Sequence, residues 1–176
     1  MTTTGRALDA AIQGQGFFAV QGTDGTEGYT RNGAFEVNDQ GTIVTQSGQP
    51  VLGDGGPITV LPGSQVTIAA DGSVSATQPG STKTVTPAGR LKLVNPPTTD
   101  IARGTDGLFR MKDGSEAPAD PRVRIASGSV EGSNVNAVEA MVGMITLARQ
   151  FEMQMKLLSA ADSADRKATQ LLSAGT

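Results

Sequence analysis

Residues able to carry out covalent or metal chemistry are few in this sequence. Its 176 residues include no histidine and no cysteine, which removes the common nucleophile–base pairs and the usual zinc sites. The carboxylates follow another pattern, since glycine comes directly after each of Asp24, Asp54, Asp71, Asp106 and Asp113. Aspartate–glycine pairs are typical of tight turns, and the spacing of a calcium-binding loop does not occur. The sequence predicts no enzyme, no metal site and no cofactor.

One glycine motif has the spacing of a nucleotide-binding loop. Residues 14–19, Gly-Gln-Gly-Phe-Phe-Ala, satisfy the pattern G-x-G-x-x-A. A dinucleotide fold needs a helix directly after these glycines, because the helix N-terminus holds the pyrophosphate. Here a strand-like run and the Asp24-Gly25 turn follow instead. We therefore interpret the motif as part of a β structure.

Charge and hydropathy disfavour two classes of partner. Fourteen basic residues stand against 17 acidic ones, for a net charge of −3, and the basic residues are scattered rather than clustered as phosphate binding requires. No nucleic acid partner is expected. The sequence has no apolar run of about 18 residues, so no membrane insertion is expected. Its first residues lack the basic and apolar segments of an ordinary secretory signal.

Residues 1–131 carry the pattern of a β-rich domain. Short strand-like runs lie at 16–21, 34–37, 42–45, 65–69, 72–76, 90–94 and 122–127. Pairs such as Asp24-Gly25 and Asn32-Gly33 separate them, which predicts type I′ hairpin turns with positive φ at both central residues. The stretches 96–106 and 115–121 are predicted to be irregular. We expect an antiparallel sandwich or barrel-like domain.

Residues 132–176 form a second segment with a helical pattern. Small and apolar residues recur at alternating spacings of four and three, the a/d pattern of a coiled-coil seam. This predicted seam consists of Ala137, Met141, Met144, Ala148, Phe151, Met155 and Leu158. Asn136, with Glu139 three residues later, predicts a capping box at the start of the helix. The fold class is thus mainly β with a long C-terminal α-helix of coiled-coil type.

A stripe of this length needs apolar surface to pack against. An ordinary helix packed on its own domain would supply that surface. The length of the stripe, its strict spacing and the lack of a second helical pattern favour a partner helix from another segment or subunit. We therefore expect the function to lie in association.

Two pairs of stretches resemble the bacterial flagellar rod and hook proteins. Residues 8–20 and 28–35 resemble the start of that family's β domain, and 131–141 and 151–156 resemble its C-terminal helix motif. Further stretches at 55–60, 68–72, 89–94 and 106–110 are more similar to proximal than to distal rod members. The β-domain motif comprises Gly14, Gly16, Phe17, Tyr29, Thr30, Arg31, Asn32 and Gly33.

The resemblance implies a structural subunit of the proximal rod in the flagellar basal body, where the rod crosses the periplasm. It implies that the predicted seam packs in the tubular core, with other rod proteins and copies of this chain as partners, and that the β domain lies outside. It also implies export by the flagellar type III apparatus without a cleavable signal. Family members begin with an N-terminal helix that pairs with the C-terminal one. This sequence starts just before the β domain, so we expect the seam to lack that intramolecular partner.

Other functions remain open at this point. A distal rod or hook-type axial protein shares the two main motifs, and a trimeric fibre or adhesin subunit shares the combination of β domain and coiled coil. A glycan-binding module on a stalk is disfavoured, because the chain has no tryptophan and a single tyrosine to stack on sugars. We expect the turn at residues 29–33 to fix the β fold rather than to touch a neighbouring subunit.

Overall fold

The computed structural model describes residues 1–78, 85–132 and 137–173, with helix side chains from Glu139 to Ala161 and at Ser163. These residues form sixteen strands and one helix. The chain divides into two compact units, Met1–Gly132 and Ser133–Thr176. The first unit holds every described strand and the second holds the helix. The prediction of a mainly β chain with a long C-terminal helix is confirmed.

The strands are mostly short, as expected for a chain with 23 glycines. They are β1 (Thr2–Thr3), β2 (Ala10–Gln13), β3 (Phe17–Gln21), β4 (Glu27–Thr30), β5 (Phe35–Val37), β6 (Ile43–Thr45), β7 (Leu52–Gly53), β8 (Gly56–Pro57), β9 (Gln65–Ile68), β10 (Ser73–Thr77), β11 (Val85–Arg90), β12 (Leu93–Val94), β13 (Ile101–Arg103), β14 (Phe109–Met111), β15 (Arg124–Ser127) and β16 (Ser129–Val130).

All strand pairs between these elements are antiparallel. The largest sheet has the order β12-β3-β4-β14-β13, and a second has the order β11-β10-β9. Four two-stranded sheets pair β1 with β16, β2 with β15, β5 with β6, and β7 with β8. Across the described strands these sheets stay open rather than closing into a barrel.

Strand β3 supplies side chains to two hydrophobic clusters. Phe18 and Val20 point into the main core, where the Phe18 and Phe35 rings meet edge to face with centroids 5.1 Å apart. Phe17 and Ala19, on the other face, belong to a smaller cluster around Tyr29. Successive strand side chains point to opposite faces, so a strand covered on both faces is apolar at every position. This explains the uninterrupted sequence Phe-Phe-Ala-Val.

Most of the predicted turns occur, but their expected type is wrong, and Asn32-Gly33 forms no hairpin because β4 and β5 do not pair. Hairpins form at the pairs 24–25, 40–41, 54–55, 71–72 and 106–107, which link β3–β4, β5–β6, β7–β8, β9–β10 and β13–β14. No described residue other than glycine has a positive φ, so these are not type I′ turns. Instead the aspartate side chain caps its own turn: Asp24 Oδ1 accepts from the Thr26 N–H at 3.0 Å, and Asp71 does the same for Ser73. Such Asx turns leave only the glycine to take the left-handed conformation.

Several strand boundaries also differ from the prediction. The predicted run 90–94 is interrupted, because β11 ends at Arg90, Leu91 donates its N–H to Gly72 and β12 begins at Leu93. The stretch 96–106, predicted to be irregular, contains β13. Its pairing with β14 fixes the strand, although the sequence Ile-Ala-Arg has no strong local strand pattern. Strand formation of this kind depends on tertiary pairing more than on propensity.

The helix, α1, runs from Ala137 to Ser173 and is about 55 Å long at 1.5 Å per residue. Glu139 lies in its first turn, where a carboxylate favours the partial positive charge of the helix N-terminus. Asn136 lies outside the described residues, so the capping box stays a prediction. In its described part, α1 contains no stretch apolar enough to cross a bilayer.

Candidate functional site

The predicted seam of α1 is a row of large apolar side chains in contact with solvent. Met144 and Phe151 expose 66% and 64% of their surface, and Met155 exposes 51%. Met141, Leu158 and Ala148 are exposed as well, while the side chain of Ala137 lies outside the description. Exposed apolar residues in a continuous row are typical of an interaction surface rather than of an ordinary solvent face.

Apolar side chains beside the seam were missed by the sequence analysis. Val142, Ile145, Leu147, Met153 and Leu157 are also more than half exposed. Val142, Ile145 and Met153 line a shallow cleft on one face of the helix, together with Arg149. A strict a/d template finds only one stripe. The positions of all apolar residues between 137 and 158, taken together, indicate an apolar surface wider than one stripe.

In the β unit, Arg31 joins three of the predicted motif residues. Its Nη1 donates to the carbonyl of Gly16 and its Nη2 to that of Gly14, both at 3.0 Å. Its guanidinium carbon lies 6.0 Å from the centroid of the Phe17 ring, within range of a cation–π contact. Gly14 and Gly16 have φ of 83° and 131°, which other residues rarely adopt. The two halves of the motif therefore form one structural unit.

Arg31 also reaches a residue that the sequence analysis did not pair with it. Its Nε donates to Glu131 Oε2 at 2.6 Å. Glu131 follows β16 directly and precedes the end of the β unit by one residue. Glu131 lies in the stretch 131–141, which resembles the family's C-terminal helix motif, and Arg31 lies in the β-domain motif. One hundred positions separate the two, so no local pattern indicates their contact.

Tyr29 and Gly33 serve the core of the β unit. Tyr29 is fully buried, and its hydroxyl accepts the N–H of Ala117 at 2.6 Å. A Cβ added at Gly33 would lie 1.7 Å from the carbonyl oxygen of Ala10. Only glycine fits this approach of the chain to β2. These contacts support the expectation that the turn at 29–33 fixes the fold.

Thr30 and Asn32 shape the turn between these two residues. The Thr30 hydroxyl accepts the N–H of Asn32 at 3.1 Å. The Asn32 side-chain carbonyl accepts the N–H of Ala34 at the same distance. Two successive side-chain caps satisfy backbone donors that no strand pairs with, and so hold the chain between β4 and β5.

The charged groups of the β unit form ion pairs. Lys92 Nζ lies 2.6 Å from Glu27 Oε2 and 3.4 Å from Glu116 Oε2. Burial alone would lower the pKa of Lys92, but hydrogen bonds and attraction from Glu27 and Glu116 outweigh it and raise the pKa. The Arg122 guanidinium beside Asp120 lowers the pKa of that carboxyl to about 2. Among the described residues no three potential ligands are placed to share a metal ion.

Two protein families match the chain, the first within the β unit and the second from the end of that unit through most of α1. The family described as "Flagellar hook protein FlgE/F/G D1 domain" matches residues 11–76. The family described as "Flagellar basal body rod FlgEFG protein C-terminal" matches residues 126–171. The first match contains the motif around Arg31, and the second contains Glu131 and most of α1.

Similar proteins carry the same family name. The flagellar basal-body rod protein FlgF of Salmonella typhimurium is 51% identical over 97% of this chain and 70% of its own length. FlgF of Escherichia coli is also 51% identical, over 98% of this chain and 71% of its own length. The basal-body rod protein FlgG of Buchnera aphidicola from Acyrthosiphon pisum is 33% identical, over 97% and 67% respectively. The chain therefore belongs to the flagellar rod and hook protein family FlgE/F/G.

Proposed function

We propose that this chain is a structural subunit of the flagellar basal-body rod, of the proximal, FlgF type. The observation that carries the proposal is the 51% identity to FlgF over nearly the whole chain. The identity to the FlgG relatives is lower, between 33% and 35%, which favours the proximal over the distal rod. Family membership likewise favours an axial protein over a fibre, adhesin or glycan-binding module.

The helix is the proposed assembly surface. Exposed apolar residues on α1 include the predicted seam from Met141 to Leu158 and, beside it, Val142, Ile145 and Met153. One partner helix covers a stripe of about 100°, whereas these residues extend well beyond one stripe. We expect the helix to pack against more than one neighbour in the rod, other rod proteins and copies of this chain among them. Residues 1–131 would then form the outer domain and residues 132–176 the core segment.

This role is mechanical rather than catalytic. The relatives are rod proteins by name, and a rod transmits torque through contacts between subunits. A head-to-tail arrangement of unlike surfaces produces such a helical polymer. The proposal includes export through the flagellar type III apparatus without a cleavable signal, and a location in the rod that crosses the periplasm.

Mass spectrometry of basal bodies purified from the source cells tests the assignment. We expect peptides of this chain in the rod fraction, in a fixed ratio to the other axial proteins. Rod fractions that contain every other axial protein but not this one would contradict it. Immunogold labelling of the same particles distinguishes a proximal from a distal position, since label next to the hook would indicate the distal rod.

A further inference from the structure

We propose that Arg31 is a positioning residue that fixes the point where the chain leaves the β unit. The exit clamp consists of Arg31, the carbonyls of Gly14 and Gly16, and the carboxylate of Glu131. The claim that this clamp carries mechanical load rests on the proposed function. The contacts of the clamp itself all lie within the β unit.

The guanidinium of Arg31 uses all three of its nitrogens within the clamp. Nη1 and Nη2 donate to the two glycine carbonyls, and Nε donates to Glu131. The rigid planar fork of arginine fits such divided contacts, which a lysine cannot make. Phe17 packs near the guanidinium carbon at 6.0 Å. One side chain thus ties a loop near the start of the β unit to the residue near its end.

The residues just before Glu131 are held by a second set of contacts. In β16, Val130 pairs with Thr2 and Ser129 pairs with Thr3. Gly128, just before, accepts from the N–H of Thr4 and donates its own N–H to the carbonyl of Asp9. A two-stranded ribbon of this length is marginal by itself. The ion pair at Glu131 extends the restraint one residue beyond the ribbon.

The clamp needs a backbone shape that depends on the glycines of the loop. Gly16 holds a φ of 131°, and an added Cβ would approach Val123 Cγ1 to 2.9 Å and the Val94 carbonyl to 3.1 Å. The loop can therefore present its carbonyls to Arg31 only with glycine at this position. This explains why glycines and arginine occur together in the motif although a turn and two strands separate them.

A rigid exit matters for a subunit that carries torque. Along the chain, load that passes between the helical segment and the β unit crosses the residues that join them. Hydrogen bonds to charged groups are stronger than neutral ones, so the clamp stiffens the chain where a short ribbon would fray. We infer that Arg31 limits the opening of the segment at residues 129–132 under load.

Hydrogen exchange of the purified chain tests the structural part. In Arg31→Ala the amides of residues 128–130 are expected to exchange about tenfold faster, a change of about 1.4 kcal/mol in opening free energy. Arg31→Lys should have an intermediate effect, because it keeps the charge but loses the fork. Arg122→Ala is the matched control, since it removes another arginine–carboxylate pair of the same unit, with Asp120, at a side chain that is 86% exposed.

Glu131→Ala provides a second variant if Arg31→Ala fails to fold, because it leaves the glycine loop intact. Unchanged exchange at residues 128–130 in Glu131→Ala would overturn the clamp. Cells carrying Glu131→Ala should assemble rods but lose more swimming speed with rising viscosity than cells carrying Arg122→Ala. Equal speeds would overturn the mechanical part. Absence of the unsubstituted chain from basal bodies would refute the rod function, whereas the exchange result on the purified chain would still stand.

Discussion

The hydroxyl of Tyr29 accepts the backbone N–H of Ala117 at 2.6 Å, across 88 positions of sequence. Tyr29 is the single tyrosine of the chain and is fully buried in β4. Ala117 belongs to the segment 112–123 between β14 and β15, which contains no strand. A buried N–H without a partner costs about 1–3 kcal/mol. This hydrogen bond, together with the one from the Asp120 N–H to the Leu93 carbonyl of β12, therefore attaches an irregular segment to the five-stranded sheet.

Burial raises the pKa of Tyr29 to about 12, with a smaller contribution from the nearby Glu27 carboxylate. The unfolded value is about 10, so the fold favours the neutral hydroxyl. The stability that Tyr29 contributes is complete below pH 10 and is lost as the pH rises from 10 towards 12. The ultraviolet absorbance of tyrosinate reports this residue alone, because the chain has one tyrosine and no tryptophan.

We expect tyrosinate to appear in the folded chain only near pH 12, or together with unfolding. In Tyr29→Phe the loss of stability between pH 10 and 12 should be shallower, as measured by urea unfolding at each pH. A tyrosinate midpoint near 10 in the folded chain would contradict the buried hydroxyl. The comparison with Tyr29→Phe also removes the contribution of the other charged groups to the pH dependence.

The ion pair of Lys92 and Glu27 provides a second prediction. Their side chains are 16% and 5% exposed, and Glu27 Oε1 is buried without a hydrogen-bond partner among the described residues. Lys92→Met should lower the free energy of unfolding by about 3 kcal/mol, because it leaves a nearly buried carboxylate without its counter-charge. Urea unfolding at neutral pH measures this loss.

Two further variants test the cause of that loss. Adding Glu27→Gln to Lys92→Met should recover most of the stability, since the uncompensated charge is gone. Arg90→Met is the matched control, because Arg90 and Asp71 form a pair with both side chains about half exposed, and such pairs contribute at most about 1 kcal/mol. Equal losses for Lys92→Met and Arg90→Met would contradict the explanation by burial.

The sequence predicted the hairpins and the helix because both depend on local residue patterns. Asp24-Gly25 and Asp71-Gly72 mark their turns by side-chain chemistry within three residues. The spacing of Met141 and Phe151 likewise follows from the helical period alone. By contrast, β13 forms because it pairs with β14. Its own sequence, Ile-Ala-Arg, has no strong strand pattern. Distant contacts also explain why the pair of Arg31 and Glu131 was missed.

The turn type was wrong for a related reason. Asparagine and aspartate tolerate positive φ, so a rule based on dipeptides predicts a type I′ turn. The side chain of the same residue offers a competing solution, because it can accept the N–H two residues later. Asp106 does so for Leu108, and Asp113 for Ser115. The dipeptide thus identifies the position of the turn but not its geometry.

Gly33 provides a prediction about close backbone approach. An alanine there would place its Cβ 1.7 Å from the Ala10 carbonyl oxygen and 2.9 Å from Phe18 Cε2. Neither a strand backbone nor a core ring moves easily, so we expect Gly33→Ala to cost about 3 kcal/mol or to prevent folding. Thermal unfolding measures the loss.

Gly55→Ala is the matched control for Gly33→Ala. Nothing lies within 4 Å of its added Cβ, so its effect should stay within about 1 kcal/mol. Similar melting temperatures for the two variants would refute the steric argument.

The last prediction concerns Met155 in the predicted seam of α1. Met155→Asp places a carboxylate where partner helices would exclude water, and such a charge is costly unless it is paired. We expect rod incorporation to fall at least about tenfold, a factor that needs only about 1.4 kcal/mol. Incorporation is measured as the amount of this chain in purified basal bodies relative to the amount secreted.

Gln150→Asp is the matched control for this experiment. It adds the same charge to the same helix about 140° away, since each helical residue turns by about 100°. Gln150 and Met155 are both exposed in the isolated chain, so neither substitution should change the unfolding of the β unit. If Met155→Asp assembled as well as Gln150→Asp, the seam would not be the assembly surface. If both failed, the packed part of the helix would include the cleft that Gln150 lines with Val142 and Met153, and that cleft would hold a further neighbour.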